Sequence, residues 1–532
     1  MQQWHKEAIV YQIYPKSYCD TNGDGIGDLR GIINKIPYLQ KLGVNAIWLS
    51  PCYPSPGDDN GYDIADYRDI GPEYGTLDDF KELLEVGKAH GIRILLDLVV
   101  NHTSDEHYWF QEARKSRDNP YRDYYIWRDP VDGHAPSDLK AAFGGSIWEW
   151  DETTEQYYLH LFSKKQPDLN WENPKVRQEI VDMINYWLDM GVSGFRCDVI
   201  NSLAKDEEGN ILFGDRLHSY LHQLHEGALG PHNALTIGET WGLTPAQALV
   251  LTGEARGELT STFQFEHLLL GRIDGDKWMP EPVDRTKYVD ILAKWEDGLK
   301  DDSYPVLVME NHDQPRALSR FGDCENYPYE SATMLAGMLY GMRGIAVIYQ
   351  GQEIGLPNPT FSSMDEYRDI ETFNGYKELK ATGKYTEDEI LARLQFGSRD
   401  CGRTPIPWTP GKEGGFTGGT PWIKTQVDKG FTVEEQENDP HSVLAFYREM
   451  LALRKSEPCL KDGEFKLLLN KDHTSVYTRT CGDETVYVVS RFDETAAPMP
   501  ACVPADATVL LKNYTDAPTD TLRPFEVLWL KA

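Results

Sequence analysis

The chain has 532 residues, a formal charge of −32, and 40% hydrophobic and 11% aromatic content. That length asks for two or three modules around at least one large core. So acidic a surface repels nucleic acid and anionic membranes and disfavours phosphorylated substrates, leaving a neutral small molecule as the expected partner of a monomer.

Taken in chain order, short apolar runs alternate with helical stretches. They predict strands at AIVYQIY (8–14), AIWLS (46–50), RILLDLVV (93–100), SGFRCDV (193–199), LTIGE (235–239), residues 259–263, PVLVME (305–310) and AVIYQ (346–350). Strands alternating with helices build βαβ units and a parallel sheet, and this many predict an α/β protein with a closed (β/α)8 TIM barrel. Between Asn101 and Trp171 the pattern breaks into a Gly-, Asp- and aromatic-rich stretch, an insertion after the third strand of the kind that usually carries function. Ser331 to Tyr349 is apolar but holds Arg343 and three glycines, so it predicts a buried helix running into a strand and not a membrane span. From about residue 460, FKLLLN, SVYTRT, TVYVVSRF, TVLLKN and FEVLWLKA predict a small antiparallel β-domain. The expected division is a barrel over 1–101 and 172–459, an inserted subdomain over 102–171, and a C-terminal β-sandwich over 460–532.

Eight cysteines lie scattered without metal-ligand spacing and read as free thiols in a reducing compartment. MQQWHKEAIVYQIYP has no basic segment followed by an apolar one, so no secretory signal is predicted and the expected location is cytoplasmic.

Polar groups follow several predicted strands at their C-terminal ends: Asp97 with Asn101 and His102, Arg196 with Asp198, Glu239, and His312 with Asp313. In a barrel those ends form the face where active sites assemble. The period of two puts Arg196 and Asp198 on one face of a strand and Phe195 and Cys197 on the other, so the guanidinium is expected to keep Asp198 ionised, as a nucleophile requires. Glu239 is flanked by Trp241, whose apolar surface favours the protonated form a general acid needs. Two carboxylates in opposed environments on neighbouring strands match a retaining glycosidase, with an expected separation of about 5–5.5 Å.

With those residues in place, the chain resembles glycoside hydrolase family 13, the α-amylase family, over nearly its whole length. DLVVNH (97–102), GFRCDV (194–199), IGET (237–240) and ENHDQPR (310–316) resemble its four signature regions, and QPDLNW (166–171) the fifth. The resemblance implies that Asp198 is the nucleophile, Glu239 the general acid/base and Asp313 the stabiliser of a distorted transition state. It also implies that His102, His312 and Arg196 hold the glucose hydroxyls and the nucleophile. Tyr62 looks like the stacking platform, and Asp59 with Arg399 like the end wall of a pocket that releases one glucose at a time. Phe143, Phe162 and Gln166 match rim positions. Val199 resembles the residue after the nucleophile in α-1,6-acting members, and ETWG with Trp241 looks like the dextran glucosidase type more than the oligo-1,6-glucosidase type with its EMPG.

DTNGDGIGD (20–28) places Asp20, Asn22, Asp24 and Asp28 at alternating positions around Gly25, copying the first nine positions of an EF-hand loop, although Gly31 stands where its twelfth-position Glu belongs. The segment resembles a structural Ca2+ loop of oligo-1,6-glucosidase-like enzymes, with the Ile26 carbonyl as a further ligand; catalysis itself is expected to need no metal. His218, His222 and His225 at i, i+4 and i+7 on a predicted helix offer zinc-ligand spacing, but read as a solvated helix face.

The expected activity is exo-acting, retaining hydrolysis of α-1,6 bonds in isomalto-oligosaccharides and short dextrans. Three other enzyme readings share the triad: an α-1,4-preferring or dual-linkage glucosidase, a sucrose isomerase or transglucosylase, and a trehalose-6-phosphate hydrolase. The last should carry a Lys/Arg cluster at the pocket mouth, and none is visible in the sequence. A non-catalytic relative, such as the ectodomain of an amino-acid transporter heavy chain, would lack the carboxylates that this chain keeps.

Overall fold

The computed structural model describes residues 3–205, 211–300 and 302–532. Eight parallel strands form one sheet: β1 (Ile9–Ile13), β2 (Ala46–Leu49) and β3 (Arg93–Leu98), then, beyond an excursion, β7 (Gly194–Cys197), β8 (Leu235–Gly238), β9 (Ser261–Thr262), β10 (Val306–Leu307) and β11 (Ile345–Tyr349). The order is β10-β11-β1-β2-β3-β7-β8-β9. Its strands read as near-continuous apolar runs because helices cover one side and barrel side chains fill the other. β1, β2, β7, β8 and β11 are buried at every position, and each fully buried Val, Ile or Leu stabilises by roughly 1.5–3 kcal/mol.

The barrel is nearly closed. Among the described residues no ladder joins β9 to β10; side chains bridge that seam, Ser261 Oγ donating to the Tyr304 carbonyl (2.5 Å) and His267 Nε2 meeting the Val308 carbonyl (2.8 Å). Both seam strands have two residues, fewer than their apolar runs predicted, because the chain leaves the ladder there to form loops.

The excursion after β3 contains the helix Tyr108–Ala113 and a three-stranded antiparallel sheet of β4 (Trp127–Arg128), β5 (Trp148–Asp151) and β6 (Gln156–Leu159), in the order β4-β6-β5. Its aromatic content packs internally: Phe110 stacks on Trp127 (5.6 Å, 6°) and meets Tyr158 edge-on (5.1 Å). Asp168 and His102 pair as an isolated bridge and return the chain to the barrel rim.

At the C-terminus β12 (Glu464–Lys471), β13 (Thr474–Cys481), β14 (Glu484–Arg491), β16 (Thr508–Lys512) and β18 (Val527–Lys531) form an antiparallel sheet, and β15 (Ala497–Pro498) and β17 (Thr521–Leu522) a two-stranded ribbon. Val476, Val489, Leu522, Leu528 and Leu530 form a small core between the ribbon and one face of the sheet. The other face lies on the helix Pro328–Tyr340, to which Tyr477 and Trp529 donate at the carbonyls of Met338 (2.7 Å) and Gly337 (3.0 Å). That helix runs into β11 as the sequence predicted. No helix among the described residues is long and apolar enough to cross a membrane, and all eight cysteines are unpaired.

Candidate active site

β3, β7 and β8 lie side by side, in a register that sets Asp97 opposite Arg196 and Cys197 opposite Gly238. Gly194 starts β7 where a Cβ would fall 2.0 Å from the Leu235 carbonyl, so only glycine lets β8 approach this closely. One residue beyond the paired region, Asp198 N donates to Leu98 O (3.0 Å) and Glu239 N to Cys197 O (2.8 Å), which fixes both carboxylates at the strand ends.

A single guanidinium organises them. Arg196 Nη1 lies 2.8 Å from Asp97 Oδ1 and 2.7 Å from Asp198 Oδ1, and Nη2 lies 2.5 Å from Glu239 Oε2. One fork thus holds Asp198 and Glu239 as neighbours across the site. Arg196 does keep company with Asp198 as the strand period implies. Its effect is outweighed, however: burial, Glu239 and Asp97 together push Asp198 well above the ordinary carboxylate range. Burial likewise raises Asp97 to about 6. Asp97 and Asp198 share the one cation, so their titration belongs to the pair and not to either residue alone.

The chain then makes a strained turn. Val199 sits at φ 34°, ψ 42°, a left-handed conformation that a β-branched residue rarely adopts. The turn delivers its backbone N–H to Glu239 Oε2 (3.1 Å). Trp241 stacks on Phe265 (4.5 Å, 27°) and donates its indole N–H to Glu239 Oε1 (3.1 Å). Its contact with the acid/base candidate is therefore a hydrogen bond and not the apolar contact expected from sequence.

These side chains open into a cavity of about 450 Å3. Of the residues singled out in the sequence, Asp59, Tyr62, His102, Phe143, Phe162, Asp198, Val199, Glu239, Trp241, His312, Asp313 and Arg399 line it. Arg196 and Gln166 stand behind the wall. Arg196 is fully buried beneath the carboxylates, and Gln166, with no exposed surface, donates to Asp59 Oδ2 (3.0 Å) and Tyr62 O (3.3 Å). The rim role for Gln166 is thus corrected to support from behind, while Arg196 lies against the candidate nucleophile.

The inner end is closed by ion pairs. Arg399 Nη2 lies 3.0 Å from Asp59 Oδ1 and 2.5 Å from Asp369 Oδ1, and its guanidinium covers the Phe143 ring at 4.8 Å. Burial raises Asp59 to about 6 against the pull of Arg399. Asp313 takes Arg403 Nη2 at 3.0 Å and Arg399 Nη1 at 3.4 Å. Burial would raise its pKa, yet His312, Arg399 and Arg403 hold it well below the usual carboxylate range. Burial itself keeps His312 neutral down to a pH of about 3, so the permanent charges opposite Asp313 are the two arginines. Tyr62 and His312 stack at 5.1 Å and 4°, and Tyr62 OH donates to Asp97 Oδ2 (2.9 Å).

Sequence reasoning missed Gln12, the polar residue inside the apolar run of β1, and Asp369 and Arg403, which lie outside the strand-end clusters. It also missed Lys140, Arg272 and Lys277 among the residues that line the cavity. Lys140 comes from the excursion after β3, and Arg272 and Lys277 from the segment between β9 and the helix Arg285–Leu299. Lys277 pairs with Glu371 (2.5 Å) and Arg272 Nη2 with Gln314 Oε1 (2.7 Å). Cys197 faces away from the cavity, and burial pushes its thiol up, as an inert structural cysteine requires.

A model of the alpha-amylase catalytic domain matches residues 12–463. The oligo-1,6-glucosidase of Parageobacillus thermoglucosidasius is 48% identical over 511 residues, covering 92% of this chain and 91% of that one. Among solved structures, the trehalose-6-phosphate hydrolase of Bacillus licheniformis is 40% identical and superposes with a TM-score of 0.94 over 100% of both chains. An isomaltulose synthase from Erwinia rhapontici NX5 is 38% identical, with a TM-score of 0.95 over 100% of this chain and 99% of that one. A nearly closed eight-stranded barrel with paired carboxylates at its strand ends, matched over most of its length by that family's model, makes the chain a glycoside hydrolase of the α-amylase family.

Proposed function

We propose that the protein is an exo-acting, retaining α-glucosidase that removes glucose from the non-reducing end of α-1,6-linked gluco-oligosaccharides. The observation that carries this reading is a pocket closed at its inner end by the Asp59–Arg399 pair, with Asp198 and Glu239 on its wall and held by one guanidinium. A closed end admits one terminal sugar and excludes a chain passing through. The 48% identity to an enzyme named oligo-1,6-glucosidase supports the linkage, as does Val199 beside the nucleophile.

In the reaction Asp198, ionised, attacks the anomeric carbon while Glu239, protonated, gives its proton to the leaving oxygen; Glu239 then takes a proton from water, which releases β-linked glucose from Asp198 with overall retention. The first step needs the charge on Asp198 and the proton on Glu239. Trp241 and the Val199 N–H orient that carboxyl, and Asp313, kept ionised by Arg399 and Arg403, binds hydroxyls of the distorted ring. His312 stands beside Asp313: Gln12 Nε2 approaches its Nδ1 at 2.8 Å, so the ring proton sits on Nε2, which lies 3.1 Å from Asp313 Oδ2.

A second reading, hydrolysis of a phosphorylated disaccharide, is favoured by Lys140, Arg272 and Lys277 on the cavity wall. Glu371 opposes it by compensating Lys277 at 2.5 Å. Product analysis on isomaltotriose, maltotriose, sucrose and trehalose 6-phosphate in parallel separates the readings. Glucose plus isomaltose from isomaltotriose, with little turnover of the others, is the expected result. Preferential cleavage of trehalose 6-phosphate would replace the oligosaccharide reading, and rearranged disaccharide from sucrose would make the enzyme an isomerase.

We further propose that the 20–28 loop holds a structural Ca2+. Asp20, Asn22, Asp24, the Ile26 carbonyl and Asp28 supply an all-oxygen donor set that suits a hard cation. The fold of the loop is compatible with it: Asp20 Oδ1 accepts from Asn22 N and Gly23 N (2.9 and 2.8 Å), Asn22 Oδ1 from Asp24 N and Asp24 Oδ1 from Ile26 N. Gly25, at φ 91°, leaves no room for a Cβ, which would meet the Thr420 carbonyl at 1.8 Å. The ion would neutralise clustered carboxylates and take no part in bond cleavage.

A further inference from the structure

The histidines at i and i+4 acquire a partner that the sequence does not reveal. The helix Leu217–Leu224 carries His218 and His222, and the segment leading into β9 brings Glu258 beneath them. His218 Nδ1 lies 2.9 and 3.1 Å from the two Glu258 oxygens, and His222 Nε2 lies 3.3 Å from Oε1. Glu258's side chain has no exposed surface, whereas the imidazoles are 43% and 44% exposed. A buried carboxylate needs a compensating cation close by. Arg256 stands off at 3.9 Å, so the groups in direct contact are two imidazoles that carry no charge unless protonated.

His222 sharpens the point. Its Nδ1 faces the Gly257 carbonyl at 3.2 Å, so a neutral ring donates there and turns an unprotonated Nε2 toward the Glu258 carboxylate. Lone pair against carboxylate is repulsive, and it is relieved either by a second ring proton or by a metal ion between the two. Two neutral imidazoles one helical turn apart, plus one carboxylate fixed by burial, make a His2Glu donor set of the kind that zinc accepts, with solvent free to fill the remaining position. Both rings reach solvent, so an ion approaches from the exposed side of the helix.

We propose that His218, His222 and Glu258 bind a divalent transition-metal ion of the Zn2+ class. The site precedes β9 and so lies at the opposite end of the barrel from the carboxylates that follow β7 and β8. It is separate from catalysis. The one group whose three donors already converge among the described residues, Glu457, Cys459 and Glu484, lacks this need for a cation, because Lys531 Nζ already sits 3.0 and 2.9 Å from its two carboxylates. Bringing all three donors of the proposed site onto one ion asks only for rotation of two half-exposed rings.

The test is calorimetric titration of the metal-stripped full chain with Zn2+, beside the His218→Ala/His222→Ala variant. Zn2+ held by surface thiols appears equally in both and cancels. Wild type is expected to bind one more ion than the variant, or to bind it about tenfold or more tightly, and its melting temperature is expected to rise on adding Zn2+ where the variant's does not. Equal stoichiometry, affinity and melting shift in the two proteins would overturn the site. If the double variant fails to fold, Glu258→Gln, which keeps the side-chain shape, gives the same comparison. Activity on isomaltotriose should be the same in all variants, so a failure of the glucosidase reading leaves this test intact.

Discussion

Gln12 holds His312 through a 2.8 Å contact between its Nε2 and the imidazole Nδ1, reaching from β1 across β11 to the segment that follows β10. An amide nitrogen only donates, so this contact decides which imidazole nitrogen bears the proton. Gln12→Ala removes the constraint and should lower kcat/KM about tenfold, the equivalent of one hydrogen bond. Gln12→Glu, ionised, would accept a proton from Nδ1 and impose the opposite tautomer, so it should cost more than the alanine variant. Kinetics in which Gln12→Glu matches wild type would refute the tautomer assignment.

Trp241 invites a split between two roles. Trp241→Phe keeps the stack on Phe265 and an aromatic face toward the substrate but deletes the 3.1 Å hydrogen bond to Glu239. If that bond orients the proton donor, kcat should fall about tenfold with KM little changed. A rise in KM at constant kcat would instead make Trp241 a sugar platform alone.

Val199 combines a strained backbone with a position beside the nucleophile. Val199→Gly relieves a left-handed conformation that costs of order 1–3 kcal/mol, so it should raise stability in urea melts. Val199→Thr keeps the branch and adds a hydroxyl, and should raise activity on maltotriose relative to isomaltotriose. An unchanged ratio would place linkage choice elsewhere in the pocket.

How much of this was open to sequence follows from distance along the chain. β1, β3, β7 and β11 were legible because buried parallel strands are unbroken apolar runs, and the period of two put Arg196 and Asp198 on one face. The two-residue seam strands were blurred because their apolar runs continue past the point where pairing stops. Asp198 and Glu239 could be proposed because each directly follows a strand, and Asp313, which stands beyond the end of β10 at Leu307, because ENHDQPR resembles a signature region. Arg403, Asp369, Lys277 and Glu371 could not, since their meaning arises only when loops tens of residues apart converge. Gln166 misled because a residue near a pocket in sequence says nothing about which side of the wall it occupies.

Asp59 gives a pH signature with a definite sign. Its pKa is raised to about 6 in the folded protein, against about 3.9 when unfolded. The protonated form is therefore favoured by folding: the contribution is fully present below pH about 4 and is lost as pH rises toward 6 and beyond. The loss amounts to about 2–3 kcal/mol at most. Asp59→Asn should remove this slope, so the stability difference between pH 4.5 and 7 in urea melts should shrink relative to wild type. A variant with the wild-type difference would mean that other members of the cluster carry the proton.

The last expectation concerns the joint between barrel and C-terminal sheet. Glu296, on the helix Arg285–Leu299, accepts Arg479 Nη1 from β13 at 2.6 Å and Arg343 Nε at 3.3 Å, all three buried. One carboxylate thus compensates two guanidinium groups in low dielectric. Glu296→Ala leaves both unpaired and should cost about 3–5 kcal/mol. Arg479→Met removes one cation and leaves a balanced Glu296–Arg343 pair, so it should cost less despite deleting the shorter contact. The carboxylates at the strand ends are remote from this joint, and kcat/KM on folded protein should stay at the wild-type value in both variants. Should Arg479→Met prove the more damaging in urea melts, docking of β13 would depend on that contact itself and not on charge balance.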